Sequence, residues 1–248
     1  MTKLRVLARR NSCEILREPI SVIFGIAFPV VLLLLLSLIH RSIPAEAGMT
    51  LFEIATLVPG VGAFGLSFLA LFVALLVSKD RESSFLLRLY TTPLKSSHFI
   101  LSYLLPMLPM AVVQLILTYA AALFLGLEFS PRILLACLMT LPVGLVHISI
   151  GMICGTVFSE KAVGGVCGAL LTNLSAWLSG TWFSLQMIGG LFEKIAYWMP
   201  FANSVDAARC ALAGNYGELW HYLWIVVLWA ILLLGVAIWT FARKMRQK

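Results

Sequence analysis

Few side chains in this sequence could do chemistry, and their spacing points away from catalysis. His147 is the only His, Asp, Glu, Lys or Arg set deep in an apolar run. An ionisable group at membrane depth is costly and is a functional candidate by default. A neutral imidazole bonded to a neighbouring helix accounts for His147 without any such role, and that is the expectation. Gln114 and Asn173 are expected to serve the same purpose, as hydrogen-bonding glue between helices rather than as a proton relay. Cys13, Cys137, Cys154, Cys167 and Cys210 form no C-x-x-C pair and imply no disulfide framework. His40, His98 and His221 fall near the ends of apolar runs, and no H-E-x-x-H or similar metal spacing occurs. No catalytic and no metal-ligating residue is assigned. A Gly-x-x-x-x-Gly-Lys-Ser/Thr phosphate cradle is also missing, so the chain itself is no ATPase.

The elements that must position these residues are membrane helices. With 61% hydrophobic and 12% charged residues and a mean hydropathy of +0.98, too little polar surface remains to coat a soluble globule. Uncharged runs extend from Ser21 to Ile39, Ile54 to Ser78, Phe99 to Leu127, Ile133 to Ser159, Ala162 to Phe192 and Tyr222 to Ala242. Each can cross, since about 20 helical residues span the hydrocarbon. The predicted spans are 20–40, 53–78, 98–126, 132–159, 162–186 and 220–242, within one all-α membrane domain over 1–248. Six spans place both termini on one side. Fourteen of the 18 Lys and Arg fall on the side of the termini, against Arg41, Arg132, Lys194 and Arg209 on the other. That bias puts the termini in the cytoplasm. The net charge of +7 is therefore read as a topology signal beside anionic lipid headgroups, with no nucleic-acid partner.

Residues 1–18 superficially resemble a signal peptide, with Ala45-Glu46-Ala47 as a cleavage site, but the apolar run is about twice the usual length. An interfacial helix on the cytoplasmic leaflet fits better, with Leu4, Leu7 and Ala8 opposite Lys3, Arg10, Glu14 and Arg17. Gly151-x-x-x-Gly155 and Gly164-x-x-x-Gly168 predict close packing of the fourth and fifth spans, whether within the chain, at a dimer seam or along a pore. Pro106, Pro109 and Pro142 should bend their helices. Over 187–218, neither Glu193–Pro200 nor Phe201–Gly214 is long enough to cross. A pair of short helices dipping from the outer face is expected, the second capped by Asn203 or Ser204 and ending near Gly214.

The one cytoplasmic stretch with a pattern of its own is 80–97. Phe85, Leu86, Leu89 and Tyr90 recur at helical spacing and could form an apolar anchor, with Arg81, Glu82 and Arg88 as a charged rim. An amphipathic helix lying on the membrane interface would carry the same pattern.

Arg81-Glu82, Leu86-Leu87 and Thr92-Pro93-Leu94, together with Leu178-Ser179-Gly180 and Tyr197-Trp198-Met199-Pro200 through Arg209, resemble the membrane subunit of type-2 ABC exporters. The resemblance covers nearly the whole chain. Ser83-Ser84 stands where the family has Gly-Thr, and the proline usual after the first outer match is missing at Leu185-Gln186. The resemblance implies an exporter permease in a bacterial cell (inner) membrane, working as a homodimer or with a similar permease. Two cytoplasmic ABC ATPase subunits would bind ATP and Mg. Residues 80–97 would be the coupling helix, with Arg81, Glu82, Phe85, Leu86, Leu89, Tyr90, Thr92 and Pro93 at the ATPase. Phe64, Phe68, Phe72, Asn173, Trp177 and Trp182 become candidate walls of the translocation path, and Gly180, Pro200, Asn203 and Arg209 mark an outer re-entrant region. The passenger would be a drug, lipid, peptide antibiotic or lipid-linked glycan. The alternatives, an ion-coupled secondary carrier or a six-span membrane enzyme, need carboxylates, a nucleophile with its base or metal ligands at depth, and the spans offer only His147.

Overall fold

The computed structural model describes residues 2–19, 23–42, 50–83, 85 and 96–246, and among these every regular element is helical. Helix α1 (Thr2–Arg17) is followed by a wide π turn (Ile23–Ala27) that leads into α2 (Phe28–Ser42). Three long helices come next, α3 (Ile54–Glu82), α4 (Ser96–Phe124) and α5 (Arg132–Val157). A segmented helix then runs through α6 (Glu160–Val163), a π segment (Gly164–Leu171) and α7 (Thr172–Leu178). The short helices α8 (Leu185–Ile188), α9 (Gly190–Trp198) and α10 (Pro200–Ala213) precede the last long one, α11 (Tyr216–Arg246).

Five of these stretches are long and apolar enough to cross a membrane: Ile23–Ser42, Ile54–Glu82, Ser97–Phe124, Arg132–Val157 and Tyr216–Lys244. The expected fifth crossing, 162–186, is not a uniform α-helix. Its helical turns run without interruption from Glu160 to Leu178 but widen to π turns over Gly164–Leu171, and a turn follows at Gly180, whose φ of +67° lies in the left-handed region. The widening has a local cause. Gly164, Gly165 and Gly168 weaken the regular ladder, and Thr172 Oγ1 donates to the carbonyl of Cys167 five residues back, at 2.9 Å.

Helix α3 is the axis of the molecule, packing most extensively on α5, which in turn carries α10 and α11. Glycine decides the closest of these contacts. A Cβ on Gly151 would strike the carbonyl oxygen of Ala70, and one on Gly155 would lie 2.6 Å from that of Ala74. The Gly151-x-x-x-Gly155 pair thus seats α5 on α3, the intrachain form of the expected close packing, because only a bare Cα face lets two helix backbones approach so closely. In the other pair, Gly168 faces Leu71 of α3 while Gly164 faces open space.

Helix α1 packs on α4, burying Asn11 and Ile15, with Asn11 Nδ2 donating to the carbonyl of Ser102 at 3.0 Å. Its exposed side carries Val6 and Leu16. Arg10, expected on the polar face away from the protein, instead turns inward to Asp80. Helix α3 also runs past the predicted limit of 78 to Glu82, so that Asp80, Arg81 and Glu82 belong to its last turn.

Candidate functional site

The C-terminal end of α3 gathers three charged residues with separate tasks. Asp80 is almost fully buried and accepts two hydrogen bonds from Arg10, to Oδ2 and, at 2.7 Å, to Oδ1. Tyr103 of α4 donates to the same carboxylate at 2.8 Å. Burial alone would lower the Arg10 pKa, but the hydrogen bond and charge of Asp80 outweigh it and hold the guanidinium above its ordinary value. The same guanidinium lies over the Phe85 ring, 4.4 Å from its centroid. One carboxylate therefore joins α1, α3 and α4, and its partner cation touches the first apolar residue of the 80–97 segment.

Arg81 and Glu82 face the opposite way. Arg81 Nη1 donates to the Thr156 carbonyl at 2.8 Å and Nη2 to that of Phe158 at 2.5 Å, which satisfies orphan carbonyls at the end of α5. Glu82 Oε1 accepts from the Glu160 amide at 3.0 Å and so serves the exposed N-terminal amides of α6. Both were expected on a rim facing a partner. The structure places their polar atoms on the turn between α5 and α6. Leu86, Leu89, Tyr90, Thr92 and Pro93 lie outside the described residues.

Within the membrane portion, the wall candidates separate into three groups. Phe64, Phe68 and Trp182 join one run of rings: Phe64 meets Phe68 at 5.6 Å and Trp182 at 5.4 Å between centroids, edge to face. Phe28 closes on Phe68 at 5.5 Å and on Phe64 at 6.3 Å, and Phe24 lies 6.0 Å from Phe28. Phe72, one turn along, is instead buried against the backbone at Gly25. Asn173 and Trp177 stand exposed on the segmented helix, and Asn173 Nδ2 donates to the Ala169 carbonyl of its own helix, so it is not interhelical glue. Phe24 and Phe28 were missed in the sequence. Their spacing of four, matching that of Phe64 and Phe68, was the available signal.

Gln114 does bridge helices as expected, with Nε2 3.5 Å from the Gly62 carbonyl and 3.2 Å from Thr118 Oγ1. His147 does not. Its Nδ1 is 2.9 Å from the Val143 carbonyl in its own helix, and its ring lies against Phe201 of α10, 5.3 Å between centroids.

At the other end of the bundle, α10 begins with Pro200 in its first turn after Met199 and stops at Gly214, which adopts φ +84°. Neither Asn203 nor Ser204 caps it. Asn203 Nδ2 donates instead to the carbonyls of Tyr197 and Met199, both at 2.7 Å, tying α10 to the end of α9. Arg209 spreads its donors over three elements: Nε to the Thr56 carbonyl, Nη2 to that of Gly180 and Nη1 to Asp206, all at 3.1 Å. Tyr197 donates to the other oxygen of Asp206 at 3.0 Å, and burial followed by the Asp206 charge raises its pKa above the ordinary value. Arg209→Ala should strip these partners together and lower stability by about 2 to 3 kcal/mol. Thermal unfolding in detergent measures this, and a loss within about 0.5 kcal/mol would mean that the three contacts carry no net weight.

These arrangements fall inside one match to known proteins. The family model described as ABC-2 type transporter matches residues 2–213. The chain belongs to that family. A search of curated proteins gave no match. As an ABC-2 membrane domain the chain is a multi-pass permease subunit and not the ATPase, and the family implies association with an ABC ATPase partner. The match includes the α1 to α3 joint, the aromatic run and the whole of α10, and it ends where α10 ends.

Proposed function

We propose that this ABC-2 permease exports hydrophobic or amphipathic passengers, and that they move along the face made by Phe24, Phe28, Phe64, Phe68 and Trp182. The observation that carries this reading is the continuity of that face. Five rings from three parts of the chain touch in sequence, and four of them are only partly buried, with Phe24 more exposed still. A stripe of aromatic edges and faces holds apolar bodies by dispersion and quadrupole contact without demanding one shape. Drugs, lipids, peptide antibiotics and lipid-linked glycans all present such bodies.

The remainder of the reading follows from the chain's layout. Helices α6 and α7 with the π segment between them cover 19 residues, about 28 Å of helical rise, and supply the sixth crossing. The charge bias then sets both termini in the cytoplasm of a bacterial inner membrane. Helices α9 and α10 form the outer re-entrant pair. Six crossings make half a transporter, completed by a second permease copy, and two ATPase subunits using ATP and Mg grip the 80–97 segments. Closure of those subunits moves the segments and shifts the permeases between inward-open and outward-open states.

The test is ATPase stimulation of the reconstituted permease and ATPase complex by a panel of hydrophobic compounds, set beside a pull-down of the ATPase. Phe68→Ala should raise the half-maximal stimulating concentration about threefold to tenfold, and Leu86→Asp should abolish capture of the ATPase. Stimulation that ignores Phe68→Ala would remove the aromatic face from the path. Capture unaffected by Leu86→Asp would remove 80–97 from the coupling role.

A further inference from the structure

Behind the aromatic face lies a small recess with a partly polar lining. His147, Ser175 and Ser179 line it together with the rings of Phe64 and Phe201, and its free volume is about 10 Å³, room for one small group. The carbonyl of Val143 can only accept a hydrogen bond, so Nδ1 of His147 must hold the proton that bridges their 2.9 Å separation. No acidic side chain lines the recess, so the ring is neutral and Nε2 bears a lone pair. That atom is fully buried and has no hydrogen-bond partner among the described residues. The two serines differ in what they have left. Ser175 gives its proton to the Thr172 carbonyl at 3.0 Å and keeps oxygen lone pairs as its remaining capacity, whereas Ser179 gives its proton to the Ala176 carbonyl at 2.8 Å and its oxygen is already engaged by Thr181, through the hydroxyl at 2.6 Å and the backbone N–H at 3.3 Å.

Two acceptors, His147 Nε2 and Ser175 Oγ, beside a pocket the size of one group and backed by apolar side chains, ask for a donor. A buried acceptor left unpaired is costly, and in an apolar setting the bond that satisfies it is strong. We propose that the recess is a socket for a single O–H or N–H group of a passenger. Phe64 stands between the recess and the aromatic run, and it is the only one of the five named lining residues that is not buried. A turn of its ring opens the socket, and the apolar body of the passenger stays on Phe68 and Trp182. The socket makes selection among otherwise similar apolar compounds depend on one donor, because a compound without it leaves Nε2 unpaired.

This inference rests on the reading of the aromatic face as the passenger's path, and the test separates the two. Equilibrium binding of 2-naphthol and 2-methoxynaphthalene, matched rings with and without a donor, is measured on the purified permease in lipid nanodiscs. The wild type should favour the naphthol by about threefold to tenfold. His147→Phe should bring that ratio to about one without weakening the methoxy compound, and His147→Gln, which restores an acceptor, should recover part of the preference. If neither compound binds, the aromatic path itself fails. If both bind equally to the wild type, or the preference survives in His147→Phe, the socket fails while the path stands. Should the variants not fold, ¹⁵N-histidine spectra of the wild type decide: the Nε2 resonance of His147 moves with naphthol and not with the ether. A resonance that already reports a hydrogen bond and ignores both compounds means that a water is the only occupant, and overturns the proposal.

Discussion

Gly151→Val is expected to destabilise the permease by about 3 kcal/mol or more, the largest effect of any single substitution considered. The reason is the identity of the obstacle. A Cβ at 151 meets the Ala70 carbonyl and, at 2.5 Å, a methyl group of Val73, and the first of these is backbone that no rotamer change can move aside. Helices α3 and α5 would have to separate along the contact that organises the bundle. Gly165→Ala provides the contrast, since nothing lies within 4 Å of its Cβ position. Thermal unfolding of the two variants should show a large drop for the first and little change for the second. Equal melting temperatures would show that the α3 and α5 backbones are not as close as the structure has them.

Asp80→Ala should cost about 2 to 4 kcal/mol and free the N-terminal helix. The carboxylate is buried while the Arg10 side chain is about one-third exposed, 32%, which places the expected loss below that of a fully buried pair. Its removal leaves the Arg10 guanidinium without its ion-pair partner and Tyr103 without that acceptor. Trypsin cleavage within α1 and a lowered melting temperature would report both consequences. A double variant, Arg10→Met with Asp80→Leu, removes the charges together and should recover at least half of the loss, because the penalty lies in the charge left unpaired. If the double variant is no better than Asp80→Ala, the cluster acts through shape and not through charge.

How much of this could be read in the sequence depends on the range of the interactions involved. Long apolar runs carry their own signal, and the helices from Ile54, Arg132 and Tyr216 begin within about four residues of the expected positions. The turn at Gly214 was legible because a left-handed residue after a helix is a local requirement. The fifth run ends at Leu178, short of the expected 186, and its π turns were not legible because length and hydropathy say nothing about a ladder loosened by Gly164, Gly165 and Gly168. Asp80 looked like the start of a solvated stretch, and only its distance of 70 residues from Arg10 in sequence concealed their pairing. His147 was singled out by its depth, but the direction of its two nitrogens depends on Val143 and on a recess assembled from α3, α5, α7 and α10. Among the wall candidates, Phe64 and Phe68 share a run of rings with Trp182, whereas Phe72 faces inward because the π turn at Gly25 packs over it.

Arg81 and Glu82 also determine where the molecule can yield. A helix that ends in a free loop can tilt by itself, but α3 ends with one side chain bound to the carbonyls at the end of α5 and the next bound to the first amide of α6. A load applied beyond residue 83 would therefore be shared among three helix ends instead of falling on α3 alone. The room to yield lies at the start of the wide turns of Gly164–Leu171, where Gly164 and Gly165 face open space, while Cys167 and Gly168 stay seated against α3.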